Sequence, residues 1–404
     1  VGFFEGGLAP LASSVLMREN PLYVQYYVTA RCNLRCQQCN VIYANGDQEE
    51  ATTDDARRIA AHLAEIGTSI VLLTGGEPFV RRDLVEIAEG FVAEGVHPRL
   101  QTNGFARPED LDRMAAIGAA DLSISLDSLE PATQERINGD VEGSWHAALR
   151  TVAHVNRTFP ADSFCAFGCV LAPSNLDEVL PLIDFATRIG WWVSLVPAHH
   201  GPVHDPRSFT TVDPAVQFRP EHLGRVRHVL DEVRRLRRDG ANLYDSDEYL
   251  EDIWRHVSGS PIRWRRRNED RCDSPNLYFA IQPNGDMAVC CDYRLGERYP
   301  VQDPRFPQWY RDRMMWPEAR RVTAACSGCM YGSFPEITIS ARFARPMLDR
   351  ARLFLQGGPR RRLVPHTYEE LIDLAATVRA EHLGPSTTRQ PATAGAAGGP
   401  RVAP

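Results

Sequence analysis

Short apolar runs alternate with longer amphipathic stretches through the first half of the chain. The apolar runs fall at 23–30, 69–74, 99–102, 121–126, 164–172 and 191–197. Between them, at 54–67, 83–95, 108–118, 144–158 and 176–190, apolar positions recur with helical spacing. Runs of that kind suit buried strands, and the stretches between them suit helices with one apolar stripe. Gly67, Gly95, Gly118 and Gly190 stand where those helices should stop, since a helix end favours a residue that tolerates a left-handed backbone. Six strand–helix repeats predict an α/β domain, a parallel sheet with helices outside it.

Beyond residue 200 the pattern changes. Residues 201–220 read as a polar connection, 221–239 as a charged amphipathic helix and 245–257 as a shorter one. Two apolar runs flank Pro283-Asn284-Gly285-Asp286, a hairpin signal. Residues 368–382 suit a terminal helix. The last twenty residues, rich in Pro, Ala, Gly and Thr, carry too little apolar surface to fold and are expected to be disordered.

Chemistry enters with Cys32, Cys36 and Cys39, a C-x3-C-x2-C spacing directly after the first strand. Thiolates suit iron–sulfur clusters and zinc. Three of them are one ligand short for a closed site of either kind. The cysteines alone therefore fit a cubane with one open iron, or a zinc site completed by a distant His or Asp. The second strand runs into Gly75-Gly76-Glu77-Pro78, where glycines let backbone approach a ligand closely. The third ends at Thr102-Asn103-Gly104, and the fourth carries Ser125 and Asp127 at alternating positions that share a face.

Together these strand ends resemble the radical S-adenosylmethionine (SAM) enzymes, and the six repeats resemble their partial (β/α)6 barrel. The resemblance implies a [4Fe–4S] cluster on Cys32, Cys36 and Cys39 whose open iron binds SAM. It implies reductive cleavage of SAM to a 5′-deoxyadenosyl radical that takes a hydrogen atom from substrate. Gly75, Gly76 and Glu77 are implied to hold the SAM amino group. Thr102 and Asn103 close the third strand, and Ser125 and Asp127 match positions that bind its ribose or methionyl end. All of these lie at C-terminal strand ends, where barrel active sites sit. One position departs: the residue before the third cysteine is usually aromatic in the family, and here it is Gln38.

A second cysteine set follows: Cys272, Cys290, Cys291, Cys326 and Cys329. Four cysteines alone also make a structural zinc site. Behind a radical SAM barrel, the order Cys272, Gly285, Cys290, then Cys326-x2-Cys329 resembles the SPASM and twitch extensions. No cysteine follows Cys329, which matches the shorter twitch form with one auxiliary [4Fe–4S] cluster. The ligands implied are Cys272, Cys290, Cys326 and Cys329, with Cys291 able to replace Cys290. The expected organisation is an N-terminal segment (1–21), the barrel (22–200), a connecting helical region (201–271), the twitch-like subdomain (272–335), a C-terminal helical region (336–384) and the tail (385–404).

A cluster with four cysteine ligands has no open iron, so its expected work is electron transfer. That points to oxidation. A carbinol that loses a hydrogen atom, a proton and an electron becomes a ketone, as in the twitch enzymes of aminoglycoside and aminocyclitol biosynthesis that this layout resembles. The expected substrate is a small molecule, with an external one-electron donor such as flavodoxin or ferredoxin. His199 and His200 follow the sixth strand, where a neutral imidazole could take the hydroxyl proton; the alternative is a pair of solvent-exposed loop histidines. Cys165 and Cys169 share one face of the fifth strand. Facing the interior, either thiol could return a hydrogen atom and make the reaction an epimerisation; facing outward, both are small core residues. A peptide-modifying maturase is the other alternative. Only about twenty residues precede the first strand, short for the peptide-binding domain many maturases carry.

Composition narrows the rest. With 404 residues and 43% hydrophobic content, the chain can fill one large core and a smaller one. A net charge of −7 with mixed signs gives no nucleic-acid footprint. No run approaches the ~18 apolar residues of a membrane span, and no signal-peptide pattern opens the chain, so a cytoplasmic protein is expected. Ten cysteines in such a setting argue for metal or redox chemistry over disulfides.

Overall fold

The computed structural model describes residues 20–39, 49–198, 216–266, 272–324, 326, 328–355 and 362–384. The tail at 385–404 and nearly all of the N-terminal segment lie outside these residues. Strands β1 (Tyr23–Thr29), β2 (Ile70–Gly75), β3 (His97–Thr102), β4 (Asp121–Ser125), β5 (Cys165–Leu171) and β6 (Trp192–Pro197) pair in parallel, each with its neighbour in sequence. Helices α1 (Thr53–Glu65), α2 (Leu84–Ala93), α3 (Pro108–Ala116), α4 (Pro131–Ile137), α5 (Ser144–Thr158) and α6 (Val179–Ile189) make the crossovers. This is the expected partial (β/α)6 barrel, with one helix, α4, that the apolar pattern did not announce. The start of α1 follows its sequence closely: Thr52 and Asp55 form a reciprocal capping box.

The strands are two-faced. Tyr26, Val28, Val71, Leu73, Leu100, Leu122, Ile124, Phe167 and Val193 point outward and pack against the helices in the main core. The intervening positions, including Gln25, Thr74, Gln101, Ser123, Ser125 and Ser194, point inward and line a cavity. Period-two alternation thus separates a fully apolar outer layer from an interior of mixed polar and apolar side chains.

The late hairpin forms as expected, with β7 (Tyr278–Ile281) antiparallel to β8 (Met287–Ala288). What the sequence did not announce is where it goes. β7 adds in parallel to β1, with Tyr23 opposite Tyr278 and Tyr26 opposite Ile281. The sheet order is β6-β5-β4-β3-β2-β1-β7-β8, so the sheet stays open between β6 and β8. Residues 330–336 lie across that opening. Tyr249 Oη donates to the carbonyls of Leu195 on β6 and Met330, each at 3.0 Å. Gly332, at φ 51°, packs on β6 so closely that a Cβ would lie 3.2 Å from Val196 Cγ2. Phe334 stacks on Tyr278 at 4.4 Å and meets Tyr23 edge-on at 6.1 Å.

The helix expected near the end spans Tyr368–Leu383, capped by Thr367 and Glu370, and packs on α5 and α6. No helix among the described residues is long and apolar enough to cross a membrane.

Phe334 is buried and joins the C-terminal segment to both β1 and β7. Phe334→Ala is expected to cost about 3–5 kcal/mol of stability, the usual range for an emptied aromatic site. Denaturant unfolding of the two proteins measures it, and a change under about 1 kcal/mol would mean that this stack does not hold the segment to the sheet.

Candidate active site

The first cysteine loop leaves the end of β1 and is held from two sides. Arg35 N and Gln37 N donate to the carbonyls of Asn138 and Ile137 at the end of α4. The amide of Asn138 lies 3.6 Å from Cys36 Sγ. Gln134, one turn earlier on α4, accepts from Asp127 N and Ser128 N at 2.7 and 2.9 Å and donates to Asn138. A buried Gln–Asn pair four residues apart thus ties the cysteine loop to the end of β4. Sequence reasoning missed both residues; the signal was two amides one turn apart on a short helix following the fourth strand.

The Gly75-Gly76 turn packs directly on the end of β1. A Cβ on Gly76 would lie 2.2 Å from the Arg31 carbonyl, and one on Gly75 2.5 Å from that of Thr29. Glu77 is buried and accepts from Phe79 N, Thr102 Oγ1 and Asn103 N at 3.0, 2.8 and 2.7 Å. It pins the turn to the end of β3. Asn103 reaches back to Asn33, and its Nδ2 lies 4.0 Å from Cys32 Sγ. Burial pushes the Glu77 carboxyl up to about 7, against the lowering effect of those hydrogen bonds.

Asp127 is likewise buried, and burial pushes it up to about 7. Its carboxylate accepts from Val170 N and from Gln38 Nε2 at 2.6 and 2.7 Å. Gln38 therefore stands against the strand ends as an amide where the family has an aromatic ring. Ser125 lines the cavity.

In the second set, Cys272, Cys290, Cys326 and Cys329 come together. Each of Cys272, Cys290 and Cys329 feels the charge of at least one other member, and burial pushes all three thiols up. Cys326 accepts from Gly328 N. Cys291 turns the other way, with its Sγ 3.7 Å from Gln25 Oε1 on β1, and lines the barrel cavity. Among the described residues, no three His, Cys, Asp or Glu side chains converge tightly enough to hold a single bare ion. A cubane takes each thiolate on a different iron, so its ligands stand further apart.

The cavity measures about 230 Å³. Thr74 and Ser125 line it at the SAM-motif end, and Cys291, Tyr331 and Gly332 close another side. Tyr331 Oη donates to Asp292 Oδ1, and burial pushes Asp292 up to about 6. Of the two alternatives for Cys165 and Cys169, the strand register favours core packing. Ala166, Gly168 and Val170 take the cavity positions of β5, while Cys165, Phe167 and Cys169 belong to the outer core. Cys169 touches the cavity wall, but its Sγ lies 3.8 Å from Asn175 Nδ2, itself bonded to the Asp127 and Val170 carbonyls. Trp191 packs in the same core, stacked on Phe167 at 4.6 Å. His199 and His200 lie outside the described residues.

Residues 26–186 match the Radical SAM superfamily. Over 178 residues the chain is 30% identical to the AdoMet-dependent heme synthase of Methanosarcina barkeri, a stretch covering 44% of this chain and 50% of that protein. Over 322 residues it is 23% identical to the mycofactocin maturase MftC of Mycolicibacterium smegmatis, covering 76% of this chain and 75% of MftC. Among solved structures, Streptococcus suis SuiB bound to its precursor peptide SuiA aligns with a TM-score of 0.59, over 86% of this chain and 75% of SuiB, at 15% identity. That likeness is one of fold. The chain spans about half the length of the heme synthase.

The superfamily uses SAM and a [4Fe–4S] cluster, and the residues present fit both. Gln38 Oε1 is a buried acceptor with no hydrogen-bond partner among the described residues, beside the Asp127 carboxylate, as a site for a donor-bearing ligand requires. Burial pushes the Cys32 thiol up to about 11 and that of Cys36 well above the ordinary thiol range, so their thiolates need a facing cation, which a cluster's iron supplies.

Below about pH 7 Glu77 takes up a proton and loses the charge that would face the SAM ammonium. SAM affinity is expected to weaken as pH falls from about 8 to about 6, by at most about tenfold per unit for one linked proton. Glu77→Gln should bind weakly at every pH. Equilibrium dialysis on the reconstituted protein measures both; a wild-type affinity flat across that range would remove Glu77 from the ammonium site.

Proposed function

We propose that the chain is a radical SAM oxidoreductase that converts an alcohol carbon of a small molecule to a ketone inside the barrel cavity. Cys32, Cys36 and Cys39 would hold the SAM-binding cluster, and Cys272, Cys290, Cys326 and Cys329 an auxiliary [4Fe–4S] cluster. When bound, these groups supply a hydrogen-abstracting adenosyl radical on one side and a one-electron acceptor on the other. The observation that carries the reading is that one cavity touches both motif sets. Thr74 and Ser125 line it beside the SAM motifs, and Cys291 and Tyr331 line it within two residues of Cys290 and Cys329.

The chain's own residues have two tasks. The first is to hold the carbinol among the cavity's polar groups, with Gln25, Gln101 and Ser123 as hydrogen-bonding partners. The second is to take the hydroxyl proton. Tyr331 reaches the cavity and donates to Asp292, which is a carboxylate above about pH 6. A hydroxyl proton can pass to Tyr331 as its own proton moves to Asp292. With one hydrogen atom, one proton and one electron removed, the carbinol is a ketone.

A peptide substrate is the second reading, favoured by the similarity to a maturase, MftC, over three quarters of both chains. Redox-neutral epimerisation would need an interior thiol, and Cys291 is the cysteine whose side chain approaches β1 at the cavity wall.

The test is anaerobic turnover of the reduced, reconstituted protein with SAM and a panel of polyols and aminosugars. The expected product is two hydrogens lighter than its substrate, with one 5′-deoxyadenosine formed per ketone. Asp292→Asn and Tyr331→Phe should each lower ketone formation about a hundredfold. Products of unchanged mass that gain one deuterium in deuterated water, with loss on Cys291→Ser, would replace oxidation by epimerisation. Turnover of peptides alone would move the second reading to first place.

A further inference from the structure

The barrel interior holds a cation that no carboxylate among the described residues pairs with. Arg99 sits at an inward position of β3 and lines the cavity. Its guanidinium lies over the Phe164 ring at 4.4 Å, and its Nε is buried with no hydrogen-bond partner among the described residues. Each nearby carboxylate is already engaged. Asp121, its register partner on β4, takes His97 Nε2 at 2.7 Å and Phe164 N at 2.8 Å. Glu336, on the far wall, takes Ser246 N, Ser246 Oγ and Arg350. Asp245 takes Ser194 Oγ and Leu195 N.

A half-buried guanidinium without a carboxylate is costly unless something pairs with it. The remaining polar groups of the cavity, such as Gln101, Ser123 and Tyr23, are neutral hydrogen-bonding side chains. A guanidinium fork matches the two oxygens of a carboxylate or a phosphate. Arg99 is three residues before Thr102, roughly 10 Å down the strand from the SAM motifs, so an anion bound there is not the carboxylate of SAM.

We infer that Arg99 is a specificity-determining residue and that the substrate carries an oxyanion, a carboxylate or a phosphate, held at the deep end of the barrel. This rests on the reading of the cavity as the substrate site. The anion anchors the ligand at Arg99 and leaves its other end towards the cysteine loop. Arg99→Lys keeps the charge and loses the fork; Arg99→Gln loses both.

The experiment is isothermal titration calorimetry of the reconstituted, SAM-loaded protein with three probes: glycerol 3-phosphate, glycerate and glycerol. Iron content and circular dichroism check that each variant is folded. Wild type is expected to bind at least one anionic probe and not glycerol. Arg99→Gln should weaken that binding at least tenfold, with Arg99→Lys between the two. Tighter binding of glycerol 3-phosphate or of glycerate identifies the anion. If Arg99→Gln binds the anions as wild type does, or if glycerol binds equally well, the anion assignment is overturned while the cavity remains a ligand site. If no probe binds wild type at millimolar concentration, the assignment and the cavity reading fail together.

Discussion

The pairing of β7 with β1 is the constraint on which the rest of this structure depends. A six-stranded parallel sheet leaves β1 with an unpaired edge, and an exposed edge must be covered or paired. Here the chain returns after more than two hundred residues to pair with it in parallel, Tyr23 against Tyr278 through Tyr26 against Ile281. That ladder fixes the hairpin that leads to Cys290 and Cys291. The same return lays residues 330–336 against β6, through Tyr249 and Gly332, so the far side of the opening is fixed as well. The late cysteines are thereby built into the barrel wall.

The mixed interior follows from the same register. Because side chains alternate along each strand, the apolar set that packs on the helices forces the other set inward. Those inward positions mix hydroxyls, amides and one arginine with apolar residues such as Leu72, Phe164, Ala166, Val170 and Val196. Polar groups facing an enclosed space are unfavourable without partners. The barrel is thus paired with the helices on its outside and made for a polar ligand within. Cys165 and Cys169 pack in the outer core, Cys169 also touching the cavity wall, and Cys291, which enters from the C-terminal segment, lines the cavity from the other side.

Much of this was legible in the sequence, for identifiable reasons. Each strand and helix of the barrel has its own local pattern, and the GGEP turn and cysteine spacing are contiguous motifs. The elements that escaped depend on contacts between distant residues. The parallel addition of β7 leaves no local trace, since Tyr278–Ile281 looks like any short apolar strand. The Gln134–Asn138 brace is polar and sits on a helix of seven residues. The face of β5 that carries Cys165 and Cys169 could not be read from a run apolar on nearly every position; only the register with β4 and β6 decides it. Cys290 and Cys291, adjacent in the sequence, face different ways, Cys290 toward Cys272 and Cys329 and Cys291 toward Gln25 on β1.

Two iron–sulfur clusters serving one cavity would show most directly in iron and sulfide per chain after anaerobic reconstitution. Wild type should hold about eight of each, and the Cys32/Cys36/Cys39→Ala variant about four, since two separate cysteine sets carry two cubanes. About four iron in wild type, none in the variant, and zinc retained by both would make the late cysteines a structural site and contradict the account.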